Sequence, residues 1–188
     1  MEILTKSEFR IRFEEISNQI KEGALFIHPT DTIYGISCDA TNPNAVKRLR
    51  EAKDRPELPL SVWVPSITWI RDNCVVDKNV EDWLKKLPGP YTLILRLKNK
   101  KAVAKEVIPN TDCLGVRIPD HWFNEIVSYL KFPIVTTSAN RSGQAFMTSI
   151  EDLDEDFKER IAFVIYEGEK KARPSKIIDL TKGTIQER

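Results

Sequence analysis

Four polar segments hold side chains able to bind or move charge, and each lies where an apolar stretch or a helical pattern runs out. The first, His28-Pro-Thr-Asp-Thr-Ile-Tyr-Gly35, is dense in hydroxyls. As a plain turn, its Thr and Asp side chains would satisfy their own backbone. The second, Lys47 to Arg55, packs five basic and two acidic residues into nine positions. Within it Lys53 and Arg55 flank a helix-to-loop junction, because Pro56 forces an extended chain at Arg55. Such a pair can clamp a phosphate, the arginine as a planar fork and the lysine as a point charge. As an ordinary charge run it would be a solvated helix face, with Glu51 pairing locally. The third segment, Thr136-Thr-Ser-Ala-Asn-Arg-Ser-Gly143, ends a buried strand in hydroxyls, an amide and a glycine, all suited to phosphate, ribose or carboxylate oxygens. The fourth, Arg173-Pro-Ser-Lys-Ile-Ile-Asp179, runs a basic stretch into a strand.

Other chemistries are excluded by what the sequence lacks. There is no GxxxxGK[ST] phosphate loop and no GxSxG nucleophile elbow. Cys38, Cys74 and Cys113 are far apart with no CxxC pair, which argues against zinc and for a reducing compartment. His28 ends a strand and His121 begins a helix, so neither reads as a triad base. Trp63, Trp69, Trp83 and Trp122 fall on apolar faces and read as core. The 188 residues carry 29 Lys+Arg against 28 Asp+Glu and are 41% hydrophobic, which fits an ordinary globular chain and excludes a strongly basic packaging protein. No apolar run approaches the ~20 residues needed to span a bilayer, and the charged, helical N-terminus is no signal peptide. The expectation is a cytoplasmic protein with no membrane contact.

The elements that must hold these segments alternate between helix and strand. Thr5 and Glu8 form a capping box for a helix with Phe9, Phe13, Ile16 and Ile20 on one face, ending at Gly23. Asn42-Pro43 starts a second helix reaching Lys53, Val80 to Leu87 marks a third, and Asp120 caps a fourth with Phe123, Ile126, Val127 and Leu130 inward. Thr148 and Glu151 read as another capping box. Strands are expected at 24–28, 60–64, 92–97, 114–118, 134–136, 161–166 and 177–180. The fold class is α/β, a single domain over residues 1–188 with a mixed sheet and flanking helices.

The segments together resemble the YrdC/Sua5 family in order and spacing. The residues that carry the resemblance are Pro29-Thr-Asp-Thr-Ile-Tyr-Gly35, Ala52-Lys-Asp-Arg-Pro56 with Pro59-Leu60, Pro88-Gly-Pro-Tyr-Thr92, Val116-Arg-Ile-Pro-Asp-His121, Thr137-Ser-Ala-Asn140 and Pro174-Ser-Lys-Ile-Ile-Asp179. Six blocks in order, over about residues 5–186, are specific where one would not be. The resemblance implies the short, single-domain form, a twisted open sheet with a positively charged concave face. It also implies threonylcarbamoyl-AMP synthase activity: L-threonine, bicarbonate and ATP give L-threonylcarbamoyladenylate and pyrophosphate. A partner transferase then modifies N6 of adenosine 37 in tRNA.

By the same resemblance, Lys53 and Arg55 match a KxR motif that binds ATP phosphates, and Ser138 and Asn140 match an SxN motif that holds the nucleotide. Arg117 would pair with the threonine carboxylate, with Thr32, Thr136 and Ser175 lining its pocket. Mg²⁺ is expected with ATP, bridging phosphates and not sitting in a protein metal site. Two positions depart from the family pattern: the loop between Pro56 and Pro59 is one residue shorter than in many members, and Trp63 stands where some carry a histidine. The rival reading is a divergent member that binds tRNA or double-stranded RNA on its basic face without this chemistry. The near-zero net charge conceals opposed patches, since residues 96–105 carry five basic and no acidic side chains while residues 151–159 carry six acidic against one basic.

Overall fold

The computed structural model describes residues 1–153 and 155–187. Four of its described helices start where a polar side chain replaces missing backbone partners. The Thr5–Glu8 capping box opens α1 (Lys6–Ile11). The long helix expected to reach Gly23 is two: the chain breaks at Arg12 before α2 (Phe13–Lys21), and the Arg12 guanidinium pairs with both Glu2 and Glu15. Asn42 caps α3 (Pro43–Lys53) by accepting from the amides of Asn44 and Ala45, with Pro43 in the first turn, where no amide is needed. Ser66 caps α4 (Ile67–Asn73), a helix the sequence pattern did not suggest, and Asp77 caps α5 (Lys78–Leu84).

Two expected caps are corrected. The helix α6 (Asn124–Leu130) starts after Phe123 without a side-chain cap, and the Asp120 amide instead donates to Asp31 Oδ2 at 3.1 Å. Before α7 (Glu155–Arg160), the capping box joins Ser149 to Asp152, because the Thr148 hydroxyl itself donates to Asp152 Oδ2 at 2.7 Å. Asp154, part of the acidic stretch, and Arg188 lie outside the described residues.

Ten strands form one mixed sheet in the order β1-β8-β2-β3-β7-β4-β6-β5-β9-β10. They are β1 (Glu2–Leu4), β2 (Phe26–His28), β3 (Gly35–Ser37), β4 (Ser61–Trp63), β5 (Tyr91–Arg96), β6 (Cys113–Arg117), β7 (Ile134–Ser138), β8 (Phe163–Ile165), β9 (Lys176–Asp179) and β10 (Thr184–Gln186). The sheet runs parallel at β1/β8, β2/β8, β4/β6 and β5/β9 and antiparallel at its other pairs. β1, β3 and β10 escaped the sequence reading: each is three residues long and, unlike the equally short β2, β4 and β8, was not marked by a longer apolar run.

Alternation along the strands sends neighbouring side chains to opposite faces. Ile27, Val62, Val116, Val135 and Val164 build the larger core with Val46 and Leu49 of α3. Phe26, Trp63, Ile134 and Phe163 build a second core on the other face with Phe9, Ile16, Ile20, Val127 and Leu130. That second cover stops short. Beyond it the same face carries Ser61, Thr92, Gly115 and Thr136, side chains too small or polar to hold a helix, and the sheet opens into a hollow. No helix among the described residues is long and apolar enough to cross a membrane.

Because α3 carries Lys53 to the edge of this hollow, its start matters to its end. Asn42→Ala, which removes the side-chain acceptor for two amides, should lower stability by about 1 kcal/mol, read as a lower urea midpoint at unchanged m-value.

Candidate active site

The floor of the hollow is set by register. Ser61 lies opposite Gly115 on one side and Thr136 on the other, and Gly35 lies opposite Ser138. A methyl group at Gly115 would come within 2.8 Å of Ser61 Oγ, so glycine keeps the floor low. Across the parallel β5/β9 pair, Thr92 Oγ1 and Ser175 Oγ share a hydrogen bond of 2.8 Å. These side chains, with Thr30, Tyr34, Arg55, Arg117, Ser138 and Phe146, line a cavity of about 240 Å³. A second hollow of about 360 Å³ continues along the same face past Ile94, Cys113, Ile177 and Asp179 and shares Pro59, Ser61 and Thr92 with the first.

One end of the cavity is cationic through α3. Asp54 takes the left-handed conformation (φ 50°, ψ 51°), ending the helix and turning Arg55 toward the hollow. Arg55 lines the cavity and donates from Nη2 to the Pro59 carbonyl at 3.2 Å. Lys53 is placed differently. It is only 1% exposed, and its Nζ donates to the carbonyls of Ser138 (2.5 Å) and Asn140 (2.6 Å) and to Asn140 Oδ1 (3.3 Å). The Ser142 amide returns a hydrogen bond to the Lys53 carbonyl at 3.0 Å. Burial, then the Arg55 charge, pulls the Lys53 amine down to about 7. The Ser138 hydroxyl donates to Asn140 Oδ1, and Asn140 Nδ2 donates to the Gln144 carbonyl at 2.6 Å. Lys53, Ser138 and Asn140 are therefore one hydrogen-bonded unit, with Arg55 beside it.

The other end is built around Arg117, 7% exposed at the close of β6. Its Nη2 donates to Asp31 Oδ1 at 3.1 Å and lies 3.4 Å from Thr32 Oγ1. Thr32 is buried against Arg117 and Thr30, while Thr30, which sequence reasoning did not single out, supplies the cavity wall there. Thr136 and Ser175 face the cavity. Trp63 does not: it is fully buried in the second core, and its indole donates to Asn124 Oδ1 at 3.0 Å. His28 is also buried, stacked 5.0 Å from Phe123, and burial drives its pKa down to about 3, so it stays a neutral imidazole.

The stretch from β8 to β9 closes the wall, and Tyr34 holds it. The Tyr34 hydroxyl donates to the Gly168 carbonyl at 2.7 Å and accepts from the Glu167 amide at 3.0 Å. The Glu167 carboxylate accepts from His121 Nε2 (3.0 Å), Trp122 Nε1 (2.9 Å) and Lys170 Nζ (2.7 Å). Burial alone would raise its pKa, but these donors outweigh burial and hold it at about 2. Tyr34, Ser61, Thr92 and Glu167 were missed as individual residues, since nothing in a linear pattern shows which hydroxyls face each other across strands. Among the described residues no group of three or more His, Cys, Asp or Glu side chains could hold a metal ion. The arrangement can seat a ligand with negative charge at both ends and hydrogen-bonding groups between them.

A family model described as "Telomere recombination", the Sua5/YciO/YrdC domain, matches residues 18–187. A Pyrococcus abyssi protein named threonylcarbamoyl-AMP synthase is 34% identical over 93% of this chain, and this chain covers 52% of that protein. A protein of the same name from Vibrio campbellii is 28% identical, with 92% of this chain and 96% of that protein covered. The crystal structure of Pyrococcus abyssi Sua5 complexed with L-threonine superposes with a TM-score of 0.86 at 31% identity, over 98% of this chain and 55% of that one. The chain thus spans about half the length of the Pyrococcus relative and nearly all of the Vibrio one.

Glu167 also predicts a pH signature. A carboxyl held near 2 in the fold, against an ordinary 4.5, contributes stability present above about pH 4.5 and lost as pH falls toward 2. Glu167→Gln should therefore lose less stability than the wild type between about pH 6 and pH 3. The difference should be on the order of 1 kcal/mol after discounting for solvent screening, measured by urea unfolding at each pH.

Proposed function

The chain belongs to the Sua5/YciO/YrdC family, and on that premise we propose that it is a threonylcarbamoyl-AMP synthase, joining L-threonine, bicarbonate and ATP into L-threonylcarbamoyladenylate with release of pyrophosphate. The observation that carries this reading is one cavity with Arg55 at one end, Arg117 at the other and a wall of hydroxyls between. It suits a substrate pair whose phosphates and carboxylate lie apart.

The threonine nitrogen attacks the bicarbonate carbon, and a C–O bond breaks with loss of water to leave a carbamate. A carbamate oxygen then attacks the α-phosphorus, and the bond to the bridging oxygen breaks with its electron pair leaving on pyrophosphate. The step uses no protein nucleophile. What it requires is alignment of the two reactants and stabilisation of charge building on phosphate oxygens. Arg55 binds those oxygens directly as a planar donor. Lys53 acts from behind the Ser138–Asn140 turn, adding positive potential and fixing the turn that holds the nucleotide. Arg117, steered by Asp31, receives the threonine carboxylate, with Thr32 buttressing the guanidinium and Thr30, Thr136 and Ser175 forming the amino-acid wall. Mg²⁺ would come with ATP as part of the substrate and would neutralise phosphate charge. The product passes to a threonylcarbamoyl transferase that modifies adenosine 37 of tRNA, in the cytoplasm.

The RNA-binding alternative is less well supported. Contacts with a nucleic acid backbone come from cations displayed on the surface, whereas Lys53 and Arg117 are 1% and 7% exposed.

Incubation with threonine, bicarbonate, Mg²⁺ and ATP should yield pyrophosphate and the adenylate by mass spectrometry; ATP binding with neither product would sink the synthase reading. Arg55→Ala should lower kcat/KM by about 100-fold with little change in melting temperature, because its side chain lines the open cavity. Lys53→Ala should lower activity and also cost about 1–3 kcal/mol of stability, since two buried carbonyls lose their donor. At about pH 8 the Lys53 amine is largely neutral, and bound phosphates favour its charged form, so ATP binding should take up to about one proton. Calorimetry in two buffers of different ionisation enthalpy reads that uptake, which Lys53→Met should abolish.

A further inference from the structure

Arg55 stands on a loop, residues 55–59, that contains two prolines and no regular secondary structure. The Arg55 amide donates to the Arg50 carbonyl at 3.0 Å where the loop leaves α3, but past that bond the prolines donate nothing and Leu58 is 60% exposed, so backbone pairing and apolar burial do little to shape the rest. Its carbonyls nevertheless converge on one group. Arg50, one turn before Lys53 on α3, is 6% exposed, and each nitrogen of its guanidinium donates to a backbone carbonyl. Nη1 donates to Arg55 (2.8 Å) and Leu58 (3.0 Å), with Pro56 at 3.3 Å. Nε donates to Glu106 at 2.6 Å and Nη2 to Val107 at 3.1 Å, both in the short 3-10 turn Lys105–Val107. The guanidinium thus ties three pieces of chain together: α3, the 55–59 loop and the 105–107 turn.

We propose that Arg50 is a positioning residue: its buried guanidinium shapes the 55–59 loop and so aims Arg55 into the cavity. The inference rests on the reading that Arg55 holds ATP phosphates. Arg50 is buried and lies outside the lining of the cavity, with each of its nitrogens already donating to a carbonyl, so it works through its neighbour. With the carbonyl of Arg55 drawn inward to Arg50, and Pro56 barring a helical conformation at residue 55, the Arg55 side chain is directed to the open side. Lysine cannot replace this. A single ammonium offers its three donors from one point, whereas the planar guanidinium spans acceptors on two segments at once.

Arg50→Lys separates this role from a general structural one, with Arg50→Met as the harsher variant. Four proteins are compared: wild type, Arg50→Lys, Arg55→Ala and the double substitution. Arg50→Lys should raise KM for ATP by about 10-fold, hold KM for threonine within about two-fold, and add nothing further in the Arg55→Ala background. Effects that multiply in the double substitution, or an equal loss toward threonine, would overturn the proposal. Hydrogen exchange supplies a readout independent of the reaction. Faster exchange across residues 55–60 in Arg50→Lys, beyond any change in the strands of the second core, is expected, and a loop that exchanges no faster than those strands overturns the proposal. If wild type shows neither ATP binding nor turnover, the synthase reading fails, while the exchange measurement still decides whether Arg50 shapes the loop.

Discussion

The structure depends on a lysine head group taken out of water. Lys53 ends α3 inside the protein, and burying its amine there is costly unless it is hydrogen-bonded. The carbonyls of Ser138 and Asn140 meet that demand, so the end of α3 must sit against the turn that follows β7. Everything at the cationic end follows from this. Asp54 must turn left-handed for the chain to leave, Arg55 emerges beside the buried amine, and Asn140 is fixed both by the lysine and by its own link to the Gln144 carbonyl.

The sheet supplies the complementary constraint. Two apolar covers pack on its faces, but the cover made by α1, α2 and α6 reaches only as far as Trp63 and Ile134. Past that line the strands carry Ser61, Thr92, Gly115 and Thr136, whose small or polar side chains leave a recess with hydrogen-bonding capacity. Arg117 lies at the border, held by Asp31 from the loop between β2 and β3, while the Asp31 carboxylate also accepts from the Asp120 amide. The Glu167 hub draws together the Tyr34 loop, His121 and Trp122 ahead of α6, and the stretch that brings Ser175 to the wall. Loops from three separate parts of the sequence thus become one rim.

Much of this was legible in the chain. The helix starts at Thr5 and Asn42 followed from side chains that satisfy amides locally, and the interaction needs no distant partner. Strands set in longer apolar runs were found, even β2, β4 and β8 with three paired residues each; β1 and β3 lack such a run and are defined by the neighbours they pair with. The helix break at Arg12 also lay beyond the apolar periodicity, which continues through it; the ion pairs to Glu2 and Glu15 join an element outside the helix. Asp120 has the side chain of a cap, yet its neighbourhood is decided by Asp31, 89 positions away.

For the site, the sequence by itself determined which residue types stand at the ends of which elements, because capping, proline restriction and alternation act over a few residues. It marked Lys53, Arg55 and the Ser138–Asn140 loop as groups suited to anions, and the family resemblance added Arg117 and Ser175 to the amino-acid pocket. Only the tertiary structure decided how they divide the work. It buried Lys53 while leaving Arg55 in the cavity, set Thr32 behind Arg117 with Thr30 in front, and surrounded Arg50 with carbonyls. Those outcomes depend on desolvation and on hydrogen bonds closed between distant segments, such as the bonds from Arg50 to Glu106 and Val107. A linear pattern carries the donors but not the acceptors that the fold brings to meet them.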